Sequence, residues 1–384
     1  MATMRLSIMA QRTRVSTSTS EASSNLSRSF SEAELMMFPE YTAFTYIWHF
    51  CPPLLLLLGV PGNVVTIVVL RRLWSDGSAQ LPFLLSLAVA DLCLLVSGLL
   101  FDACFYVFDW DVREFHVVPC KVLAFSMNCA STVAAWLLVA VTAQRAVSVT
   151  RPHLVAECCS AANCYCVLAI IVVASCVLQC HVLVGEHVPG VHPEGYCTSA
   201  RSTDDISIIS KSTWSMVDLV ASCLLPSLVL PVCNFFLIRG LRASQRTLQI
   251  ISPYSKTASD YRRRLASSMM TVIPLLSLAF VCLTLPIYGY IIWSDLRKDA
   301  ISNSPRLFAR AELAWAVTNM LWYANSTVNF LLYCVSGSRF RKEFLQLFKC
   351  GGRKRRCRGS PRRGHKRGAC CWRDRGITGA DGKS

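Results

Sequence analysis

Charge is what this chain has least of. Asp, Glu, Lys and Arg make up 16% of its 384 residues, against 53% for the hydrophobic types. Soluble domains carry about 25% charged residues, so a soluble globular protein is not expected. The apolar stretches lack the strict alternation of membrane-barrel strands, which argues against that architecture. Among the 20 Cys no spacing backed by His reads as a metal site, so no metal is expected. No nucleophile–base pair or metal constellation is in view, so the chain is not read as an enzyme. No internal repeat suggests the paired halves of a transporter.

Long apolar runs are what the chain has instead. Seven can cross a bilayer, which takes about 20 helical residues: 46–70, 81–108, 120–149, 163–184, 214–238, 265–293 and 313–335. In hydrocarbon the backbone must pair with itself, so each run is read as a helix. The fold class is an all-α membrane protein, a seven-transmembrane helix bundle with a short amphipathic eighth helix. Residues 1–45 are read as a largely disordered tail rich in Ser and Thr, and 46–335 as the bundle. Residues 336–350 are read as an amphipathic helix on the membrane surface, and 351–384 as a basic, largely disordered tail. Residues 1–10 are too weakly apolar for the core of a signal peptide, so the first span is expected to direct insertion.

Lys and Arg favour the cytoplasmic side of a membrane. With the amino end outside, the outer tail, loops and helix tops hold 12 basic and 16 acidic residues, and the inner face 26 basic and 6 acidic. Arg145 and Asp91 lie within spans and cancel, so faces of −4 and +20 account for the net +16. The opposite orientation would put the basic clusters outside. A multi-pass plasma-membrane protein with an extracellular amino terminus is therefore expected. Sixteen basic residues follow Val335; they are read as attracted to anionic membrane lipids, and nucleic acid is not an expected partner. Asn25-Leu26-Ser27 is a glycosylation sequon on the outer side; Asn325-Ser326-Thr327 matches the pattern but lies within a span.

Most Cys fall within spans, where they act as small apolar residues. Cys120 and Cys197 both fall at the outer surface. Oxidising conditions there permit a bridge that would pin a loop over the bundle mouth; two free thiols are the alternative. Cys350, Cys357, Cys370 and Cys371 lie among basic residues beside the membrane, surroundings that favour S-palmitoylation. Cys350 is the best placed, with an unmodified thiol as the alternative.

An ionisable side chain in hydrocarbon is costly and needs partners. Asp91 sits mid-span and is expected to face the bundle interior with Asn63, Asn325, Ser326 and Asn329. A carboxylate, amides and a hydroxyl suit a hard monovalent cation or a proton-sensitive water network; a structural hydrogen-bond knot is the alternative. Arg145 ends the third span. Either it snorkels to phosphates, or it holds neighbouring helices in one state and lets go in another. Pro226 and Pro286 each remove an intrahelical bond, giving swinging inner halves of spans five and six or a static bend.

Taken together, these residues stand at spacings that resemble a rhodopsin-like (class A) G-protein-coupled receptor over roughly residues 45–350. Gly62-Asn63 resembles the first-helix pair of that family, and Leu87-Ala88-x-x-Asp91 its second-helix motif around a sodium ion. Cys120 precedes Arg145 by 25 residues, the family's separation of disulfide Cys and helix-three Arg. Pro226 and Pro286 match the prolines of helices five and six. Asn329-x-x-x-Tyr333 matches the helix-seven motif, and Phe340 begins the eighth helix. The resemblance implies a disulfide from Cys120, a sodium ion at Asp91 and no other cofactor, and a heterotrimeric G protein as partner. Arg145, Tyr333 and Pro286 would serve its switch.

The chain also departs from that family. Gln144 replaces the acid before the helix-three Arg, and Ala146 the Tyr after it, so the salt bridge that restrains Arg145 is not expected. Thr284 replaces the Trp before the helix-six Pro, Phe330 replaces the helix-seven Pro, and span four lacks Trp. The text from Asn325 to Phe340 is similar to FMRFamide-receptor-like invertebrate neuropeptide receptors, where Phe in place of that Pro is common.

The Asp of amine receptors aligns with Met127, and span seven lacks Lys, so neither an amine counter-ion nor a retinal Schiff base is expected. The upper bundle offers Asp102, Asp218 and Glu312 among Tyr288, Tyr290, Trp315, Asn319, Trp322 and Tyr323. Acids among aromatics suit a short peptide with Arg and Phe side chains, by ion pairing and stacking. Aromatics that are merely core or interface-belt residues are the alternative. An outward swing of span six would release Arg145 and open a cleft lined by Arg239, Arg242, Arg262, Arg263 and Arg264 to a G protein. A receptor-like scaffold or dimer partner without signalling is the other reading, ahead of a transporter.

Overall fold

The computed structural model describes residues 30–73, 81–110, 117–155, 160–184, 216–251, 272–336 and 338–351. All regular structure among them is helical. The long helices are α1 (Pro39–Leu73), α2 (Leu81–Phe108), α3 (Val117–Thr150), α4 (Ala161–Gln179), α5 (216–251), α6 (Val272–Leu296) and α7 (Pro305–Ser336). The shorter α8 (Ser338–Gly351) follows. Residues through Phe344 belong to one compact unit, the bundle. Leu345 begins a second, of which Leu345–Gly351 continue α8. The end of the bundle at Pro39, Phe108, Val117, Leu296 and Pro305 is called upper below. The end at Leu73, Leu81, Thr150 and Ser336 is called lower.

Helices α1 to α6 are long and apolar enough to cross a membrane. The seventh, 32 residues long, is long enough but too polar to join them by composition. The cause is a row of polar groups turned into the bundle: Glu312, Asn319, Ser326, Thr327 and Asn329 are all buried. A lone apolar helix cannot carry such groups, but a helix surrounded by partners can.

Order begins earlier than composition suggests. Part of the segment expected to be a structureless tail is helical, Glu32–Met36, with Ser31 accepting the Glu34 N–H at 3.2 Å as its cap. Phe30 and Leu35 are buried, and Phe30 packs on Phe308 of α7 at 5.8 Å between ring centroids. Tyr41 and Phe44 carry that apolar face into α1, which is why α1 starts at Pro39 and not near residue 46. At the other helix ends, Ser160 caps α4 through the Asn163 N–H, and Asp109 closes α2 in the left-handed region at φ 52°.

Lipid tails are as apolar as leucine, so helices in a membrane associate through close packing and polar contacts. Glycines on α1 permit the closest approach. A Cβ at Gly59 would lie 2.7 Å from side-chain atoms of Leu95 and Thr327, and one at Gly62 3.0 Å from the Phe330 Cβ. Phe330 thus fills the position of the absent proline: α7 runs unbroken, and its ring lies between α1 and the Phe340 and Phe344 rings of α8, at 6.2 and 5.7 Å. The peripheral α4 turns Ile170, Val173 and Val177 outward, each more than half exposed, as a lipid-facing stripe.

Two helices widen locally into π-turns, Leu95–Leu99 in α2 and Val220–Leu224 in α5. The second has a traceable cause. In the π register Leu225 N–H reaches the Val220 carbonyl. The next donor should come from Pro226, which has none. The carbonyl left over, Ala221 O, accepts instead from the Trp136 indole of α3 at 3.0 Å.

Candidate functional site

Three polar clusters lie along the bundle. The middle one joins α1, α2 and α7. Asn329 donates its amide to Asp91 Oδ2 at 2.6 Å. Asn63 donates to the backbone carbonyls of Gly59 and Ser326 at 3.0 and 2.9 Å. The Ser326 hydroxyl sits beside the carboxylate without completing a hydrogen bond to it. Of the five residues expected here the structure therefore assembles four. Asn325 is half-buried and makes no hydrogen bond with the group: at about 100° per residue it points well round the helix from Ser326. Asp91 Oδ1, Asn63 Oδ1 and Ser326 Oγ are buried without hydrogen-bond partners among the described residues. Buried oxygens with unused lone pairs are the donor set of a hard cation, or of water.

The lower cluster surrounds Arg145, which is half-buried. Its neighbour Gln144 donates to the Cys164 sulfur of α4 at 3.1 Å, so this amide is engaged with α4 where the family acid would restrain the arginine. Thr142 of α3 and Ser277 of α6 share a hydrogen bond at 3.4 Å. Tyr333 stacks on Phe340 at 5.4 Å, and its buried hydroxyl has no hydrogen-bond partner among the described residues. Pro286 lies inside α6, about two and a half turns above this link, and the neighbouring Thr284 is buried where the family has Trp. Arg262, Arg263 and Arg264 lie outside the described residues.

The upper cluster divides in two. On the α2–α7 side Asp102 is buried and accepts the Tyr323 hydroxyl at 2.9 Å. The same hydroxyl lies 3.8 Å from the Met127 sulfur of α3. Gly98 makes room for both, because a Cβ there would stand 2.8 Å from the hydroxyl and 3.0 Å from the sulfur. Trp322 packs on Tyr323, Trp315 on Tyr290, and Asn319 donates to the Trp315 carbonyl; all of these are buried. Across the bundle, Asp218 of α5 is about a fifth exposed. It accepts from Gln179 of α4 at 2.9 Å and faces His181 at 3.7 Å. Gln179 also donates to Thr132 of α3, which shares a hydrogen bond with Ser222 of α5. Tyr288 of α6 is buried near Asp218.

Sequence reasoning named Asp218 but missed Gln179, His181, Thr132, Ser222 and Trp136. Gln179 carried a usable signal, since an amide within an apolar run is as conspicuous as Asp91. Cys197 and Asn25 lie outside the described residues, as do the side chains of Cys120 and Cys350, whose backbones belong to α3 and α8.

The family described as 7 transmembrane receptor (rhodopsin family) matches residues 62–333. Human cysteinyl leukotriene receptor 2 is 25% identical over 303 residues, covering 76% of this chain and 79% of its own length. Mouse G-protein coupled receptor 15 is 25% identical over 300 residues, with 76% and 75% covered. Human galanin receptor type 3 is 26% identical over 312 residues, with 79% and 78% covered. These relatives bear on the family and not on an FMRFamide-receptor-like sub-family. The matched stretch runs from the glycine face of α1 to Tyr333 at the foot of α7, and by it this chain belongs to the rhodopsin family of seven-transmembrane receptors.

Proposed function

We propose that this receptor answers a short basic peptide at its upper end and passes the signal to a heterotrimeric G protein at its lower end. The movement would involve α5, α6 and α7. The charge asymmetry favours an upper end facing outward and a lower end facing the cytoplasm. Relatives named for galanin and for cysteinyl leukotriene share the family, so the choice of ligand rests on this chain's own acids. Asp218 carries that choice. It is a carboxylate within an apolar helix, part exposed, and set near the aromatic ring of Tyr288. A guanidinium can pair with it and stack on a ring. Asp102, closed in by Tyr323, is the less accessible acid. A resting-state sodium ion would be held by Asp91, Asn63 and Ser326, whose unpartnered oxygens fit it.

A ligand shifts a two-state equilibrium only by its difference in affinity for the two states. Short amidated basic peptides should be screened on cells expressing the chain, with calcium and cAMP readouts. An active peptide should lose about tenfold or more in potency on Asp218→Ala, the effect of a lost charge-assisted hydrogen bond of about 1.5–3 kcal/mol. Unchanged potency in both Asp218→Ala and Asp102→Ala would place the ligand elsewhere.

A further inference from the structure

We propose that Thr142 and Ser277 form a releasable hydroxyl latch, which positions the lower half of α6 against α3 in the closed bundle. Thr142 Oγ1 lies 2.7 Å from the Leu138 carbonyl oxygen, and Ser277 Oγ lies 3.0 Å from the Ile273 carbonyl oxygen. The two hydroxyl oxygens lie 3.4 Å apart. Each hydroxyl has one proton, and a carbonyl only accepts. The three contacts therefore cannot all be full hydrogen bonds at once. Thr142 makes the shortest of them, so its proton belongs to Leu138. Ser277 then has a choice. It donates to Ile273 on its own helix, or it turns and donates to Thr142 on α3.

Either choice leaves the polar groups satisfied. When Ser277 Oγ leaves the Ile273 carbonyl, that oxygen keeps the backbone N–H of Ser277, four residues on in the helix. When it leaves Thr142, the Ile273 carbonyl receives it again. Both side chains are buried, at 0% and 2% exposure, so bulk water does not compete for either hydroxyl. Breaking a buried pair is ordinarily costly because one member is stranded. Parting Asn329 from Asp91 would do that. Parting Ser277 from Thr142 does not, so this contact can open and close with a small motion of α6.

A second hydroxyl pair on α3 behaves differently. Thr132 donates to the Asn128 carbonyl at 3.0 Å, so Ser222 of α5 supplies the proton of the Thr132–Ser222 contact at 2.8 Å. Gln179 of α4 donates to the same Thr132 oxygen at 3.2 Å. Each of these bonds has its own donor. Farther down, a Cβ at Gly240 of α5 would stand 2.9 Å from side-chain atoms of Val149 and Thr150. Helix α3 thus grips α5 at two levels and holds α6 by a contact whose proton can change hands. Thr142 stands about one turn above Arg145. With the coupling to a G protein proposed above, on which this role rests, the closed latch restrains the resting state.

The test uses the full chain in lipid nanodiscs and reads backbone hydrogen–deuterium exchange over residues 272–280. A helix that parts from its neighbour admits water to its backbone. Ser277→Ala removes the donor, and Thr142→Val removes the acceptor while keeping its shape. Each should speed exchange there about threefold to tenfold, the weight of one net hydrogen bond. The double variant should go no further than either single, because both remove the same contact. Thr142→Ser keeps the hydroxyl and should exchange like wild type. Unchanged exchange in both singles, or additive effects in the double variant, overturns the latch. Ligand-independent G-protein signalling at equal surface expression is the second readout. It should rise by about the same factor in both singles and stay at the wild-type level in Thr142→Ser. Faster exchange with unchanged signalling would uphold the latch and count against the coupling to a G protein.

Discussion

Asp91 has two oxygens, and its neighbours among the described residues satisfy one. Asn329 serves Oδ2, while Oδ1 faces a group whose other oxygens, on Asn63 and Ser326, are equally unused. A buried acceptor without a donor costs about 1–3 kcal/mol. Asp91→Asn would remove a buried charge and add an N–H2 among acceptors. Its thermal midpoint in sodium-free buffer should exceed wild type by about 2–4 °C, and added sodium chloride, compared with choline chloride, should stabilise the wild type alone. A variant less stable than wild type under sodium-free conditions would speak against this account. Gln144 poses a second residue-scale question. Its amide is engaged with Cys164, and no carboxylate precedes Arg145. Gln144→Asp should supply the missing restraint and lower ligand-independent G-protein signalling about tenfold, the effect of a bias near 1.4 kcal/mol; an unchanged baseline at equal surface expression would count against it. Asp91, Asn63, Ser326 and Asn329 were legible in the sequence because polar groups stand out in apolar runs. Asn325 was misjudged because such a scan counts neighbours in sequence and not angles round a helix.

At the scale of the element, α5 shows why a proline does not translate simply into a kink. The sequence marks Pro226 as a missing donor, but it cannot show that Trp136, on another helix, supplies a replacement. The result is a π-turn whose surplus carbonyl is satisfied from α3. That turn lies between Asp218 and Pro226, so it sets the direction of Asp218 and Ser222. Trp136→Phe keeps the ring and removes the donor, leaving Ala221 O unsatisfied, at a cost of about 1–3 kcal/mol. Pro226→Ala restores a backbone N–H that can take over this carbonyl. The two changes should therefore be non-additive: the double variant should be more stable than the sum of the singles predicts, by at least about 0.5 kcal/mol. Thermal unfolding of all four proteins measures the coupling, and strict additivity would dissociate the indole from the proline. The same caution applies to α7. Phe330 stands where the family has Pro, and the helix runs unbroken. The seat of that ring between Gly62, Phe340 and Phe344 was visible only once the helices were packed.

For the whole molecule, the seventh helix decides whether the bundle is a sum of independent spans. The sequence yields seven helices and their order, because hydrophobic length alone specifies six and the seventh stands in the remaining gap. Apolarity does not explain why α7 stays in the membrane. On insertion scales a central apolar residue contributes only about −0.3 to −0.6 kcal/mol, and a charged one costs about 2.5–3.5 kcal/mol. Glu312, Asn319, Ser326 and Asn329 offset much of what the leucines and aromatics of α7 contribute. Polar groups of α7 find partners on other helices: Asp91 for Asn329, Leu55 O for Thr327, Asp102 for Tyr323, and Glu40 for Arg310 at the upper rim. Residues 305–336, tested alone as a guest segment in microsomes with engineered glycosylation sites, should insert markedly less often than residues 272–296. Within the full chain the same segment should span completely. Replacing Glu312, Asn319 and Asn329 by Leu should raise insertion of the isolated segment to that of α6 while destabilising the assembled bundle. If isolated α7 inserts as well as α6, its polar face costs nothing in lipid, and the interhelical contacts that join α1, α2 and α7 are not what holds it in place.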